Sequence, residues 1–235
     1  MKRLADLVKD GVLVTIITSS LAGAPNLIKT TDSKFLYDDI FSEDAFKPKY
    51  SLFLDKANSK AMPYSGLKEV VDKAFSEVKK PSYITKAVQM ARSYVESMDN
   101  PNATSPVGAR GLQQIMEPSW NDVMGEHSFD SAYDPLLNNI ASLKHLDRVD
   151  IYLRQNYSGF DELSVAQQQD LMNAAYNGGQ GRLKNLGWNI DAMPKETRDY
   201  VKRMKDRTLI EELRLYESYN QENTLVNMEI PAYNR

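Results

Sequence analysis

Residues 84–101 read ITKAVQMARSYVESMDNP, and their spacing decides the fold class. Ile84, Ala87, Val88, Ala91 and Val95 recur at the three- and four-residue intervals of one helix face. Asn100-Pro101 stops that helix, because proline lacks an amide hydrogen and disfavours helical backbone in the residue before it. The same period returns on both sides. Upstream, Ser65–Lys79 opens on a serine cap and sets Leu67, Val70, Val71, Ala74 and Val78 on one face, before Lys79-Lys80-Pro81 ends it. Downstream, Ile140, Leu143, Leu146, Val149 and Leu153 mark another helix, and Val165 to Tyr176 a further one closed by Gly178-Gly179. Lys195 to Met204 begins a last helix that continues through Leu209, Leu213 and Leu215. Alternating apolar and polar runs of strand length are scarce, and there is no internal repeat. The expected fold is mainly α.

Composition narrows the chemistry. The chain has 235 residues, 42% hydrophobic and 26% charged, as in an ordinary globular protein. Its 29 basic and 32 acidic residues give a formal net charge of −3, which argues against a general nucleic-acid binder. With no cysteine, disulfides, thiol catalysis and cysteine-ligated zinc are excluded. His127 and His145 are the two histidines, too few for a three-histidine metal site. No metal or organic cofactor is implied. Chemistry here must rest on carboxylates, hydroxyls, amides or the backbone.

The N-terminus carries its own signal. In residues 1–24, Lys2, Arg3 and Lys9 precede an apolar run from Val12 to Ala22, with small residues after it, the layout of a secretory signal peptide. The run is short of the about 20 apolar residues that span a bilayer. Asp6 and Asp10 dilute the basic region, and Leu4, Leu7, Val8 and Val12 equally fit the stripe of a buried helix. Four segments are expected: the signal at 1–24, an arm with one helix at 25–80, the main domain at 81–205, and a C-terminal helix and tail at 206–235. The arm and the acidic tail are candidate docking segments for a protein partner. Eight of the 11 glycines fall between residues 108 and 187, where loops would build a site on the helical scaffold.

Within that stretch, residues 96–116 read ESMDNPNATSPVGARGLQQIM. Glu96 sits off the apolar stripe at the end of its helix, and by itself reads as one solvated surface acid among many. The loop after it, with Gly108, Gly111, Gln113 and Gln114, supplies amides and hydroxyls able to hold a polar, neutral ligand. Three more segments follow in order: Tyr133-Asp134-Pro135 with Asn139-Ile140 and His145-Leu146, then AAYNGGQGR over 174–182, then PKETRDYV over 194–201.

These four blocks, covering about residues 81–205, resemble the soluble lytic transglycosylase domain, a lysozyme-like helical fold related to goose-type lysozymes. The resemblance implies a role for each matching position. Glu96 aligns with the family's sole catalytic carboxylate. Ser105 and Gln114 align with polar residues near the acid and the substrate N-acetyl group, and Met116 with a subsite wall. Tyr176 and Asn177 align with the block that contacts sugar, where the plainer readings are a core aromatic and a helix cap. Glu196 and Tyr200 fall on the block expected to pack beneath the cleft. The sequence departs from the pattern at Asp99, where the family has an aromatic, at Glu117-Pro118, where the proline is displaced by one, and at His145, where tyrosine is common.

A single glutamate can suffice for such chemistry. Glycoside cleavage needs a proton on the leaving oxygen and stabilisation of an oxocarbenium-like centre, and a 2-acetamido substituent can take the place of a second carboxylate. The expected activity is cleavage of the β-1,4 bond between N-acetylmuramic acid and N-acetylglucosamine in peptidoglycan strands, leaving 1,6-anhydro ends. Two other readings stand beside it. A goose-type muramidase would use water and a second carboxylate, with Asp99, Glu117 and Asp122 as candidates. A catalytically silent glycan-binding assembly protein would keep the fold without the reaction. The expected location is the periplasm or cell envelope, with a phage particle as the alternative.

Overall fold

The computed structural model describes residues 60–228, with side chains to residue 220. The expected signal segment, most of the expected arm and the last seven residues lie outside the described residues. Seven α-helices and three 3-10 turns make up the described part, which contains no strand. Helix α1 spans Tyr64–Glu77 and buries Leu67, Val71 and Ala74, one apolar stripe at i, i+4 and i+7. Helix α2 spans Lys86–Ser97, and the Thr85 hydroxyl caps it by accepting from the Val88 amide at 3.2 Å. It ends at Met98, which is left-handed (φ 52°) and returns its amide to the carbonyls of Ser93 and Tyr94.

Helix α3 (Glu117–Met124) has proline in its first turn, where the missing amide costs nothing. Helix α4 (Pro135–Asn156) is capped by the Asp134 carboxylate, which accepts from the Leu137 amide at 2.8 Å. Helix α5 (Val165–Gly178) opens with a reciprocal capping box between Ser164 and Gln167. Short helix α6 (Gln180–Asn185) follows, then α7 (Lys195–Met228). The boundary expected after residue 205 falls inside α7, which is one continuous helix.

Helix α2 is the central element. It packs against α1 and α7, and all seven residues from Ala87 to Ser93 are buried. It encloses the polar side chains of Gln89, Arg92 and Ser93 with the apolar residues, and the Gln89 amide and the two Arg92 Nη groups find their partners inside the protein. Helix α4 lies against α1, α3 and α5, and α7 against α2 and α5. The main core joins Val88, Ala91, Trp120, Leu143, Leu146, Phe160, Met172 and Met204. Trp120 is fully enclosed, its indole N–H donating to the His127 carbonyl at 2.8 Å. Truncating it to alanine would cost about 3–5 kcal/mol. A smaller cluster of Leu67, Val71, Met90 and Leu112 ties α1 to α2 and to the loop that follows α2.

That loop, residues 98–116, carries much of the site. It is pinned by isolated antiparallel bridges from Arg110 to Thr104 and to Ile115. Gly111 sits at its closest approach to the body, with φ +77°. A Cβ there would lie 2.2 Å from the Ala132 carbonyl oxygen and 2.4 Å from the Asn138 amide nitrogen. Only glycine fits.

Candidate active site

Glu96 lies in the last turn of α2, half-buried, where α7 packs against α2 and Tyr176 of α5 comes within electrostatic reach. The Tyr200 hydroxyl, from the buried face of α7, donates to Glu96 Oε1 at 2.7 Å. Burial pushes the Glu96 carboxyl up to about 7, against the opposing pull of the Tyr200 hydrogen bond and the cations Arg92 and Arg203. Burial and the neighbouring Glu96 also raise Tyr200 well above the usual phenol range, so it remains a donor. A carboxyl in these surroundings holds its proton near neutral pH and retains access to a ligand that could receive it.

Tyr176, in the last turn of α5, flanks the same point. Its hydroxyl donates to the Gln113 carbonyl at 2.7 Å, joining α5 to the loop after α2. The Arg92 guanidinium lies 4.7 Å from the Tyr176 ring centroid, and the His145 ring meets it edge-on at 5.6 Å. Burial, then the charge on Arg92, lowers the proton affinity of His145, so it serves as a neutral aromatic wall beside Tyr176.

Beneath these residues runs a buried chain of amides. Gln89 Nε2 and Gln113 Nε2 both donate to Asn139 Oδ1, each at 3.0 Å. Arg92 donates through Nη1 to Gln89 Oε1 at 3.3 Å and through Nη2 to Asn173 Oδ1 at 2.9 Å. Asn138 accepts from the Gln113 amide at 2.7 Å and donates to the carbonyls of Arg110 and Ala132. Four elements are thereby locked together under the site: α2, the 98–116 loop, α4 and α5. Such a network specifies one arrangement, because each unpaired buried amide would cost about 1–3 kcal/mol.

The other residues singled out in the sequence take varied positions. Ser105 closes a turn, its hydroxyl accepting from the Ala109 amide at 3.0 Å. Gln114 is left-handed (φ 47°) and donates to the carbonyls of Ala103 and Gly111, so its amide nitrogen shapes the loop. Met116 is 39% exposed at the start of α3. Asn177 is half-buried in the last turn of α5 and is not its cap, a role Gly179 takes by donating to the Ala175 carbonyl. Glu196 departs from expectation: it is exposed in the first turn of α7 and does not pack beneath the cleft. The buried arc of α7 begins at Thr197, Tyr200, Val201 and Met204, and Glu196 stands about 100° round the helix from Thr197.

The three carboxylates considered as partners of Glu96 stand in other surroundings. Asp99 is half-buried and feels Arg207, Glu211 and Arg214; burial pushes its carboxyl up to about 6. Glu117 is exposed at the head of α3, and Asp122 is exposed and ion-paired with Arg148. None of them is among the charges that act on Glu96. Among the described residues, no group of three or more His, Asp or Glu is arranged to hold a metal ion.

Sequence reasoning missed Arg92 and Asn173 as parts of the site, and it named Gln113 as a ligand-holding amide where the structure makes it a buried link between helices. Arg92 had left a trace: it falls four residues after Val88 and four before Glu96, on the border of the apolar stripe.

Comparison with known proteins agrees with this geometry. The family model described as the transglycosylase SLT domain matches residues 73–201, more than half of the chain. The match begins within α1 and ends just past Tyr200, so it spans every helix that meets at Glu96. No curated protein is similar enough to count as a match. Helical architecture and family match point the same way: the chain belongs to the transglycosylase SLT domain family, lysozyme-like proteins whose function is the degradation of peptidoglycan.

Proposed function

We propose that the protein is a lytic transglycosylase that cleaves the β-1,4 bond between N-acetylmuramic acid and N-acetylglucosamine, with Glu96 as its one catalytic carboxyl. The observation that carries this reading is the setting of Glu96. It is a recessed carboxyl raised to about 7 and hydrogen-bonded by Tyr200, and among the described residues the charges that act on it are the cations Arg92 and Arg203.

The proposed reaction runs in two steps. Glu96 gives its proton to the glycosidic oxygen, the bond from C1 of N-acetylmuramic acid to that oxygen breaks, and N-acetylglucosamine leaves with a new hydroxyl. The 2-acetamido oxygen supports the cationic C1, as the recognised substrate-assisted route allows. The C6 hydroxyl of the same sugar then attacks C1 and returns its proton to Glu96. A 1,6-anhydro ring closes, the enzyme regains its starting state, and no water is consumed. Glu96 must be protonated at the outset, so turnover should fall as pH rises through about 7. Met116, Tyr176 and Asn177 are proposed to contact the glycan, with Ser105 and Gln114 acting through the shape of the loop.

Digestion of peptidoglycan in heavy-oxygen water tests the outcome. A transglycosylase leaves no heavy oxygen in its products, whereas a muramidase places one at every new reducing end. The substrate lies outside the cytoplasmic membrane in a bacterial host, and we further propose that residues 1–24 direct export. A secreted form lacking those residues in its intact mass supports this; a full-length form inside the cell contradicts it.

A further inference from the structure

The amide chain beneath the site ends in an unusual charge. Arg92 is 0% exposed, and its two hydrogen-bond acceptors are neutral amide oxygens, those of Gln89 and Asn173. Its Nε is buried without a partner, and among the described residues no carboxylate forms an ion pair with it. Burying a cation without a counter-ion costs several kcal/mol, and a neutral side chain of the same volume would avoid that cost. Arg92 stands one helical turn before Glu96, with its guanidinium against the ring of Tyr176.

Resting on the reading of Glu96 as the acid, we propose that Arg92 is a positioning residue: an unpaired buried cation that favours the carboxylate Glu96 becomes on giving up its proton, and that holds the Tyr176 ring by its face. The charge has no counter-ion while Glu96 is protonated and acquires one only as the proton leaves. Stabilisation confined to the reacting state accelerates the chemical step without tightening substrate binding.

Every charged or titratable group facing Glu96 bears on the test. Helix α2 contributes Arg92, α5 contributes Tyr176, and α7 contributes Tyr200 and Arg203; His145 of α4 lies behind Tyr176. The two cations differ in kind. Arg203 is exposed and screened by salt, whereas Arg92 is enclosed and is not.

The experiment is a carbon-13 NMR titration of the Glu96 carboxyl carbon, assigned by its loss in Glu96→Gln. Arg92→Met removes the cation. Asn173→Asp, nearly isosteric, leaves the guanidinium in place and pairs its charge, because Asn173 Oδ1 already accepts from Nη2. In both variants the Glu96 midpoint should rise by about one pH unit, and in Arg92→Lys by much less. An unmoved midpoint in either variant overturns the proposal. The new carboxylate of Asn173→Asp raises the Glu96 midpoint by its own charge, so a rise there supports the proposal only where Arg92→Met, or Arg92→Gln if Arg92→Met fails to fold, shows it as well. The pH profile of peptidoglycan solubilisation separates the two claims. A profile that moves with the midpoint supports both; a moved midpoint with an unmoved profile upholds the action of Arg92 on Glu96 and removes Glu96 as the acid.

Discussion

Glu96 and Asp99 are three residues apart, both half-buried and both raised by burial, to about 7 and about 6. Their surroundings are nevertheless different. Glu96 is the last-turn residue of a regular helix and meets Tyr200, with Arg92 and Arg203 as the cations that act on it. Asp99 comes after the left-handed Met98, is itself left-handed (φ 59°), and meets the middle of α7. There Arg207 and Glu211, 3% and 1% exposed, pair at 2.5 Å, and the Arg207 guanidinium stacks 3.6 Å from the Tyr94 ring centroid. The αL turn at residues 98–99 therefore divides two environments along one helix. The Glu96 side serves the proposed chemistry, and the Asp99 side anchors α7.

The largest effects should fall on one side of that divide. Glu96→Gln should lower peptidoglycan solubilisation by at least about a thousandfold, since on the proposed mechanism Glu96 is the acid that donates the proton. Asp99→Asn should change it by less than about threefold, and equal losses in the two variants would erase the distinction. Next comes the loop that follows the divide. Gly111→Ala should destabilise the protein by about 3 kcal/mol or more, measured by urea unfolding, because its Cβ collides with the Ala132 backbone at a positive φ. Tyr200→Phe should be milder, a roughly tenfold loss of activity. Because the Tyr200 hydrogen bond lowers the proton affinity of Glu96, its removal should shift the falling limb of the pH profile upward.

The last pair of effects is in the pH dependence of stability. A carboxyl that holds its proton more tightly when folded stabilises the fold while protonated, and that contribution fades as pH rises. For Glu96 the loss runs from about 4.5 to about 7, and for Asp99 from about 3.8 to about 6. Glu96→Gln should therefore gain in melting temperature over wild type across its window and stay ahead above it. Asp99→Asn should gain across the lower window. Melting curves at half-unit pH steps read both windows, and coincident windows would contradict the separate environments.

Much of the fold was legible in the chain. Helices α1, α2, α4, α5 and α7 declared themselves by apolar period, and four ordered blocks marked Glu96, Tyr176 and Tyr200. What stayed hidden has physical reasons. Helices α3 and α6 have eight and six residues, too few turns for a period to emerge. Helix α2 is enclosed on every side, so a reading that assigns polar residues to solvent misplaces Gln89 and Arg92. The links that tie α2 to the 98–116 loop, α4 and α5 join residues 24 to 81 positions apart, and such pairings are fixed by packing alone. Glu196 shows the converse: a matching block gave its place in the chain, and the helical phase turned its side chain outward.

The central claim is that Glu96 alone drives a reaction whose nucleophile is the sugar's own C6 hydroxyl. Mass spectrometry of the soluble products from peptidoglycan, with wild type beside Glu96→Gln, tests it most directly. Wild type should release muropeptides lighter by one water and resistant to borohydride reduction, and the variant should release none. Reducible N-acetylmuramic acid ends, or anhydro products that persist in Glu96→Gln, would contradict the claim.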